Sequence, residues 1–182
     1  MKAVHVLVTM DVEPVKKDAN WTGPEDARTS ERLVRAYTET AARFGFPVSF
    51  FVHPEAAEVH AELFGSLQEQ GHCLGLHLHP TRFLHPRYRH ELGFYAGAEQ
   101  REMIGEARRR WVAALGAEPL SFRPGAFSAN DATFPILVEL GFRGGSVSIP
   151  GRVWPERYCI WAGAEPDPHR ASGASDVGRR RR

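Results

Sequence analysis

Two histidines, His77 and His79, stand one residue apart after the short apolar segment 73–76, and Pro80 follows them. If that segment is a β-strand, the alternation of its side chains puts both imidazoles on the same side where the strand ends. Neutral imidazole is the most common protein ligand for transition metals. The spacing therefore predicts a metal site, with a pair of histidines in a simple turn as the alternative.

Two carboxylates, Asp11 and Glu13, have the same spacing and follow the apolar segment 4–8. Residue 12 points the other way in an extended chain, so both carboxylates are expected to face one pocket. Two histidines and one carboxylate leave metal positions open for water and substrate, and the second carboxylate remains available as a base. A metal lowers the pKa of its water from 15.7 to about 7 and can hold the oxyanion of an attacked carbonyl group. These residues together predict the hydrolysis of an amide or ester.

Further polar residues come at the ends of other predicted strands. His53 ends the second strand, Arg123 ends the fourth, and Ser146 and Ser148 lie on the fifth. Each of them alone is more often a solvated or structurally satisfied residue. Because the carboxyl ends of parallel strands meet at one edge of a sheet, their coincidence at successive strand ends predicts a functional site there.

The elements that must position these residues alternate between strand and helix. Apolar runs predict strands at residues 3–9, 47–53, 73–76, 120–122, 143–149 and 158–161. Helices are expected over about 31–44, 54–70, 98–115 and 131–140. The apolar stripe of the first helix is predicted to be Leu33, Val34, Tyr37, Ala41 and Phe44. The alternation predicts a mainly parallel sheet with helices outside, hence an α/β sandwich or a barrel.

The composition is that of an ordinary soluble domain, with 42% hydrophobic and 25% charged residues in a chain of 182. Residues 179–182 are all arginine, and removing their four charges from the net +1 leaves −3 for residues 1–178. That balance argues against a nucleic-acid partner. Two separated cysteines indicate either a reducing compartment or no disulfide role at all, and neither a secretory signal nor a membrane span is visible. A cytoplasmic protein without membrane or nucleic-acid partners is therefore expected.

Three segments appear in order and at suitable distances: Thr-Met-Asp-Val-Glu at 9–13, Gly-His-Cys-Leu-Gly-Leu-His at 71–77, and Phe-Arg-Pro-Gly at 122–125. They resemble the first three motifs of the polysaccharide deacetylase family, the NodB-homology or carbohydrate esterase 4 fold. The resemblance covers roughly residues 3–165. It implies an α/β fold of the distorted (β/α) barrel type and the metal-dependent removal of N- or O-acetyl groups from sugars. The implied cofactor is a divalent metal, with zinc expected first and cobalt or nickel as alternatives.

The resemblance assigns roles to individual residues. Asp11 falls on the catalytic base, Arg123 on the arginine that holds this base, and His77 on the first metal-binding histidine. The family's metal-binding aspartate directly follows the base, where this chain has Val12, so Glu13 is the expected substitute.

The second metal-binding histidine of the family lies four residues after the first, where this chain has Thr81. His79 is therefore expected to serve, with His85 in reserve. The family's late histidine, a general acid, has no counterpart, since only His169 follows His90. Residues 1–165 are thus expected to form one such domain, incomplete at its C-terminus, and residues 166–182 a disordered tail.

Two other functions remain open on the sequence. The same fold without a firmly bound metal opens small cyclic amides such as an allantoin-like ring. A truncated or degenerate relative would bind sugar without catalysis, or bind nothing. The expected substrate is therefore an acetylated sugar or a small amide, and the oligomeric state is left open.

Overall fold

The structure is a computed structural model that describes residues 6–17, 22–83 and 87–170. The strands are β1 (Val8–Val12), β2 (Val48–Val52), β3 (Cys73–Leu78), β4 (Ser121–Pro124), β5 (Gly144–Gly145), β6 (Val153–Trp154) and β7 (Cys159–Ile160). The helices are α1 (Ala27–Ala42), α2 (Pro54–Val59), α3 (Ala61–Glu69), α4 (Pro80–Phe83), α5 (Gly97–Leu115) and α6 (Thr133–Glu139). Short 3-10 helices occupy Leu92–Phe94, Gly125–Phe127 and Pro155–Arg157.

Strands β1 to β5 form one parallel sheet whose spatial order follows the chain, β1-β2-β3-β4-β5. Each new strand is added on the same side of the last one, as in a (β/α) barrel, whereas a doubly wound sheet reverses direction. The predicted α/β fold of the barrel type is therefore confirmed. Strands β1 and β5 form the two edges, and no pairing joins them within the described residues.

Strands β6 and β7 differ from the prediction, which made residues 158–161 a sixth strand of the main sheet. They pair antiparallel in a separate two-stranded sheet. The 3-10 helix Pro155–Arg157 and a left-handed Tyr158, with φ of 50°, reverse the chain between them, so the two strands run in opposite directions. The fifth strand is likewise shorter than predicted, because only Gly144 and Gly145 pair with β4.

Strand β1 lies further along the chain than predicted. Its pairing with β2 runs from Val8 opposite Val48 to Val12 opposite Val52. Val6 and Leu7, which lie in the predicted strand 3–9, are 62% and 81% exposed because they precede the paired region. Residues 3–5 of the predicted strand lie outside the described residues.

The first two predicted helices begin or break at different places. Asp26 accepts a hydrogen bond from the Thr29 backbone N–H, so α1 begins at Ala27 rather than near residue 31. Val34 and Ala41 are buried as predicted, while Leu33, Tyr37 and Phe44 are exposed, because the buried stripe continues through Ser30 and Thr38 instead. The predicted helix 54–70 is divided into α2 and α3 at His60.

The core lies between the sheet and the helices that cover it. Its largest fully buried apolar side chains are Trp111, Trp161, Phe50, Phe64, Phe122, Leu76, Leu78, Leu92, Met103 and Ile104. Among the described helices, none combines the length and hydropathy needed to cross a bilayer. The cytoplasmic location stays a prediction. The disordered tail 166–182 also stays a prediction, because residues 171–182 lie outside the described part of the chain.

Candidate metal centre

The carboxyl end of β3 brings two imidazoles together. His77 lies in β3 and His79 one residue beyond it, and both are buried, with 2% and 8% exposure. Their ring centroids are 5.0 Å apart and the rings are nearly perpendicular. The alternation of side chains at a strand end therefore places both histidines on one side, as the spacing predicted.

Glu13 follows strand β1, which is separated from β3 by β2 in the sheet, and reaches both imidazoles with one oxygen. Its Oε1 lies 3.4 Å from His77 Nε2 and 3.3 Å from His79 Nε2. Each of the three side chains offers one ligand atom, and these atoms lie within 4.8 Å of one another. Glu13, His77 and His79 are called the Glu-His-His cluster below.

The protonation of His77 suits a metal ligand. Its Nδ1 lies 2.8 Å from the backbone oxygen of Arg123, which can only accept, so Nδ1 carries a hydrogen. In the neutral ring this leaves the lone pair on Nε2, which faces Glu13 and is buried without a hydrogen-bond partner. A buried lone pair without a donor, beside a second imidazole and a carboxylate, fits a divalent metal such as zinc.

The charges in the cluster are strongly coupled. Burial raises the pKa of the Glu13 carboxyl, but the close contacts with the His77 and His79 imidazoles outweigh burial and leave the pKa well below its usual range. Burial lowers the pKa of His79, but hydrogen bonds to Glu13 and Glu91 outweigh burial and raise it to about 9. Without a cation the cluster therefore holds a proton on His79, which a metal ligated by Nε2 would have to displace.

Asp11 and Arg123 form a second pair at the same edge of the sheet. The Arg123 Nη1 donates to Asp11 Oδ1 at 2.6 Å, and both Nη atoms lie 3.2–3.3 Å from Thr9 Oγ1. The guanidinium is 4.0 Å from the centroid of the Phe51 ring, and Arg123 is 8% exposed. Contacts on several sides fix the guanidinium, which in turn fixes one oxygen of Asp11.

Sequence reasoning missed two residues that contact the cluster. The Arg82 Nη1 donates to Glu13 Oε2 at 2.5 Å, which leaves Oε1 to face the histidines. Glu91, 3% exposed, accepts from His79 Nδ1 with both carboxylate oxygens, at 3.0 and 3.1 Å. Both residues lie in segment 81–96, between the third predicted strand and the third predicted helix, where the sequence shows no apolar periodicity that would indicate which side chains face the site.

Other candidates from the sequence are not among the three clustered residues, or lie outside the described residues. His53 is fully buried at the end of β2, and burial holds its pKa well below the usual range, but it is not one of the three clustered residues. Ser146 and Ser148 follow the end of β5 rather than lying in it. His85 lies outside the described residues. His169 is exposed, with its Nδ1 2.8 Å from the carbonyl oxygen of Asp167.

Comparison with solved structures confirms the family resemblance at the level of the fold. A family 4 carbohydrate esterase from Streptomyces lividans, solved in complex with acetate, is 16% identical with a TM-score of 0.53, over 77% of this chain and 60% of that one. A family 4 carbohydrate esterase pseudoenzyme from Bacillus anthracis is 13% identical with a TM-score of 0.54, over 76% of this chain and 41% of that one. This chain thus spans about half the length of these structures.

At these identities the similarity shows the fold alone. No protein-family model matches the sequence, and no curated protein matches it either. Any inference about activity therefore depends on the site.

Proposed function

We propose that this protein is a metal-dependent hydrolase that removes acetyl groups from N- or O-acetylated sugars. The observation that carries the proposal is the Glu-His-His cluster, which shares one edge of the sheet with the Asp11–Arg123 pair in a fold shared with carbohydrate esterases. The structure from Streptomyces lividans was solved with acetate, the product that such a reaction releases.

Glu13 Oε1, His77 Nε2 and His79 Nε2 are the atoms that would hold the metal, with zinc preferred and cobalt or nickel as alternatives. When bound, a divalent metal supplies Lewis acidity that acidifies water and polarises an acyl carbonyl group. The protein residues keep the ligand atoms in place. Arg82 holds Oε2 of Glu13, and the Arg123 carbonyl fixes the tautomer of His77.

Asp11 is the proposed base. Its Oδ1 is bound by Arg123 and its side chain is 33% exposed, so Oδ2 is the oxygen left to take a proton from the attacking water. The water oxygen then bonds to the acyl carbon, and the bond from that carbon to the sugar nitrogen or oxygen breaks. The proton on Asp11 can pass to the departing atom, so Asp11 would act as base and then as acid.

Zinc analysis and a turnover assay on one set of variants test the proposal. The wild type should bind about one zinc and release acetate from chitooligosaccharides, while His77→Ala should do neither. His169→Ala is the matched control, since it removes an exposed histidine outside the cluster and should change neither result. A wild-type protein that binds no divalent metal, or that releases no acetate from N-acetyl or O-acetyl sugars, would refute the hydrolase.

A non-catalytic relative is the second candidate. It is favoured because, within described residues 91–170, the histidine present is His169, which is exposed and contacts the Asp167 carbonyl group. The solved structure from Bacillus anthracis is that of a pseudoenzyme. Zinc binding without turnover, on sugars and on small cyclic amides alike, would support this candidate.

A further inference from the structure

We propose that Glu91 is a positioning residue that fixes the tautomer of His79 and aims its Nε2 at Glu13. The His79 ring lies in a slot between Glu91 and Gly125, and this slot requires glycine at position 125. The inference deepens the proposed function, because it concerns how one of the proposed metal ligands is held. It also explains how a histidine two residues after the first, rather than four, can reach the cluster.

The contact between Glu91 and His79 is buried and two-fold. Both carboxylate oxygens lie 3.0–3.1 Å from His79 Nδ1, and Glu91 is 3% exposed. An ionised carboxylate only accepts, so Nδ1 carries the hydrogen and the lone pair of the neutral ring lies on Nε2. Arg157 Nη1 also lies 3.4 Å from Glu91 Oε1, and this permanently charged neighbour favours the ionised carboxylate.

His79 needs this partner because the sheet does not supply one. The Nδ1 of His77 donates to the backbone of Arg123, its register partner on β4. His79 lies beyond the last paired residues, Leu78 and Pro124. Metal-binding histidines almost always donate their second ring nitrogen to a carboxylate, a carbonyl or water, and Glu91 supplies the carboxylate.

Gly125 gives the imidazole its space. A Cβ at this position would lie 2.2–2.4 Å from three atoms of the His79 ring, so the ring rests directly against the glycine backbone. The His79 ring cannot move away from an added Cβ without breaking its bond to Glu91. Alanine at position 125 would therefore displace His79 from the cluster. The slot is therefore closed on one edge by Glu91 and on one face by Gly125.

The segment that carries Glu91 is itself anchored by buried hydrogen bonds. The Gly93 N–H donates to Ser128 Oγ at 3.0 Å, and the Asn130 amide donates to the carbonyl oxygens of Gly93 and Tyr95 at 2.9 and 3.1 Å. Gln100 also donates to Tyr95 and to Asn130. Glu91 is thus held by bonds to the segment after β4, the same segment that supplies Gly125.

The first test needs no metal, and its first measurement is made on the wild type. In the metal-free wild type, imidazole NMR should show a proton on His79 Nδ1 that exchanges slowly with solvent, since it is buried and bonded to Glu91. In Glu91→Gln this resonance should shift and exchange faster, whereas in Glu102→Gln it should stay unchanged. Glu102 is the matched control because it binds Arg87 and Tyr88 of the same segment without contacting His79. A His79 Nδ1 without a proton in the wild type, or a resonance unchanged in Glu91→Gln, would overturn the proposal.

The second test measures Zn²⁺ affinity by competition with a chromophoric chelator. Glu91→Gln should bind zinc about 10- to 100-fold more weakly than wild type, as is typical when a residue supporting a ligand histidine is lost. Glu102→Gln should stay within about two-fold, on the same reasoning, because the contact to His79 remains. Equal affinity in Glu91→Gln and wild type would overturn the positioning role. A wild type that binds no zinc would instead refute the metal site, while the resonance test would still decide the role of Glu91.

Discussion

Arg123 and His77 are register partners across β4 and β3, and they are also joined through the side chain of one and the backbone of the other. The Arg123 carbonyl accepts from His77 Nδ1 at 2.8 Å, while the Arg123 guanidinium donates to Asp11 Oδ1 at 2.6 Å. One residue therefore orients a proposed metal ligand with its backbone and the proposed base with its side chain. A substitution of the Arg123 side chain removes the contact to Asp11 and keeps the backbone contact to His77. It therefore tests the proposed base separately from the proposed metal site.

Replacing the guanidinium should reduce turnover and leave zinc in place. In Arg123→Gln the backbone carbonyl remains for His77, while Asp11 loses its partner. We expect kcat/KM to fall by about 10²- to 10³-fold, within the range that a positioned base contributes, and zinc affinity to change by less than about five-fold. Arg101→Gln, which breaks a surface pair with Glu139, is the control and should match wild type. Loss of zinc together with activity would show that the two functions of Arg123 are not separable.

The base itself should be more sensitive than the residue that holds it. Asp11→Asn keeps the shape of the side chain but cannot take a proton, so kcat should fall by about 10²- to 10⁴-fold with little change in zinc content. Steady-state assays with metal analysis of the same samples check this. Retention of full activity would assign the base to another residue.

The five residues of the proposed site were readable from the sequence because their positions relative to strands carry the information. Asp11 and Glu13, like His77 and His79, keep the spacing of two that places side chains on one face of an extended chain. Arg123 follows the fourth apolar run. Strand ends of a parallel sheet converge whatever the details of packing, so the meeting point was predictable even though the limits of β1 were not.

Glu91 and Gly125 were not predictable in their roles, because their contacts depend on tertiary packing. Glu91 lies twelve residues from His79 in a segment without hydrophobic periodicity, and hydrogen bonds to Ser128 and Asn130 bring it back to the cluster. The misplaced start of β1 has a related cause. Val6 and Leu7 have strand-forming side chains, but the pairing with β2 begins only at Val8.

The glycine at position 125 should be intolerant of even one added carbon. Gly125→Ala would place a Cβ against the His79 ring, and overpacking of this kind costs about 1–3 kcal/mol of the free energy of unfolding. Denaturant unfolding measures this cost. Gly65→Ala, where an added Cβ meets nothing within 4 Å, is the matched control and should not destabilise the fold. Equal stability of the two variants would show that the slot around His79 is looser than described.

The metal-free protein should lose stability as the solution becomes alkaline. The pKa of His79 is raised from 6.5 to about 9 in the fold, so its protonated form stabilises the folded state fully below pH 6.5. That contribution disappears as the pH rises through about 9, by an amount on the order of 1–3 kcal/mol. Urea titrations in chelator between pH 6 and 10 measure the decline. His79→Gln should lack it and His90→Gln, which changes an exposed histidine, should retain it. A flat profile in the wild type would contradict the charged His79.

Zinc should restore stability under the same alkaline conditions. At zinc concentrations about 100-fold above Kd, binding to the folded state alone adds about 2.7 kcal/mol, which corresponds to a rise in Tm of roughly 5–10 °C for a chain of this size. Differential scanning fluorimetry with and without chelator measures the shift. Glu13→Gln, which removes the charge of the cluster but not its shape, should show a much smaller rise. An equal rise in Glu13→Gln would place the zinc elsewhere.

Anomalous diffraction at the zinc edge from crystals grown with zinc tests the central claim most directly. The Glu-His-His cluster predicts one strong peak about 2.0–2.2 Å from Glu13 Oε1, His77 Nε2 and His79 Nε2. Clear electron density for these three side chains without an anomalous peak between them would contradict the metal-dependent hydrolase. A zinc ion held by other residues, with these three side chains free, would also contradict it.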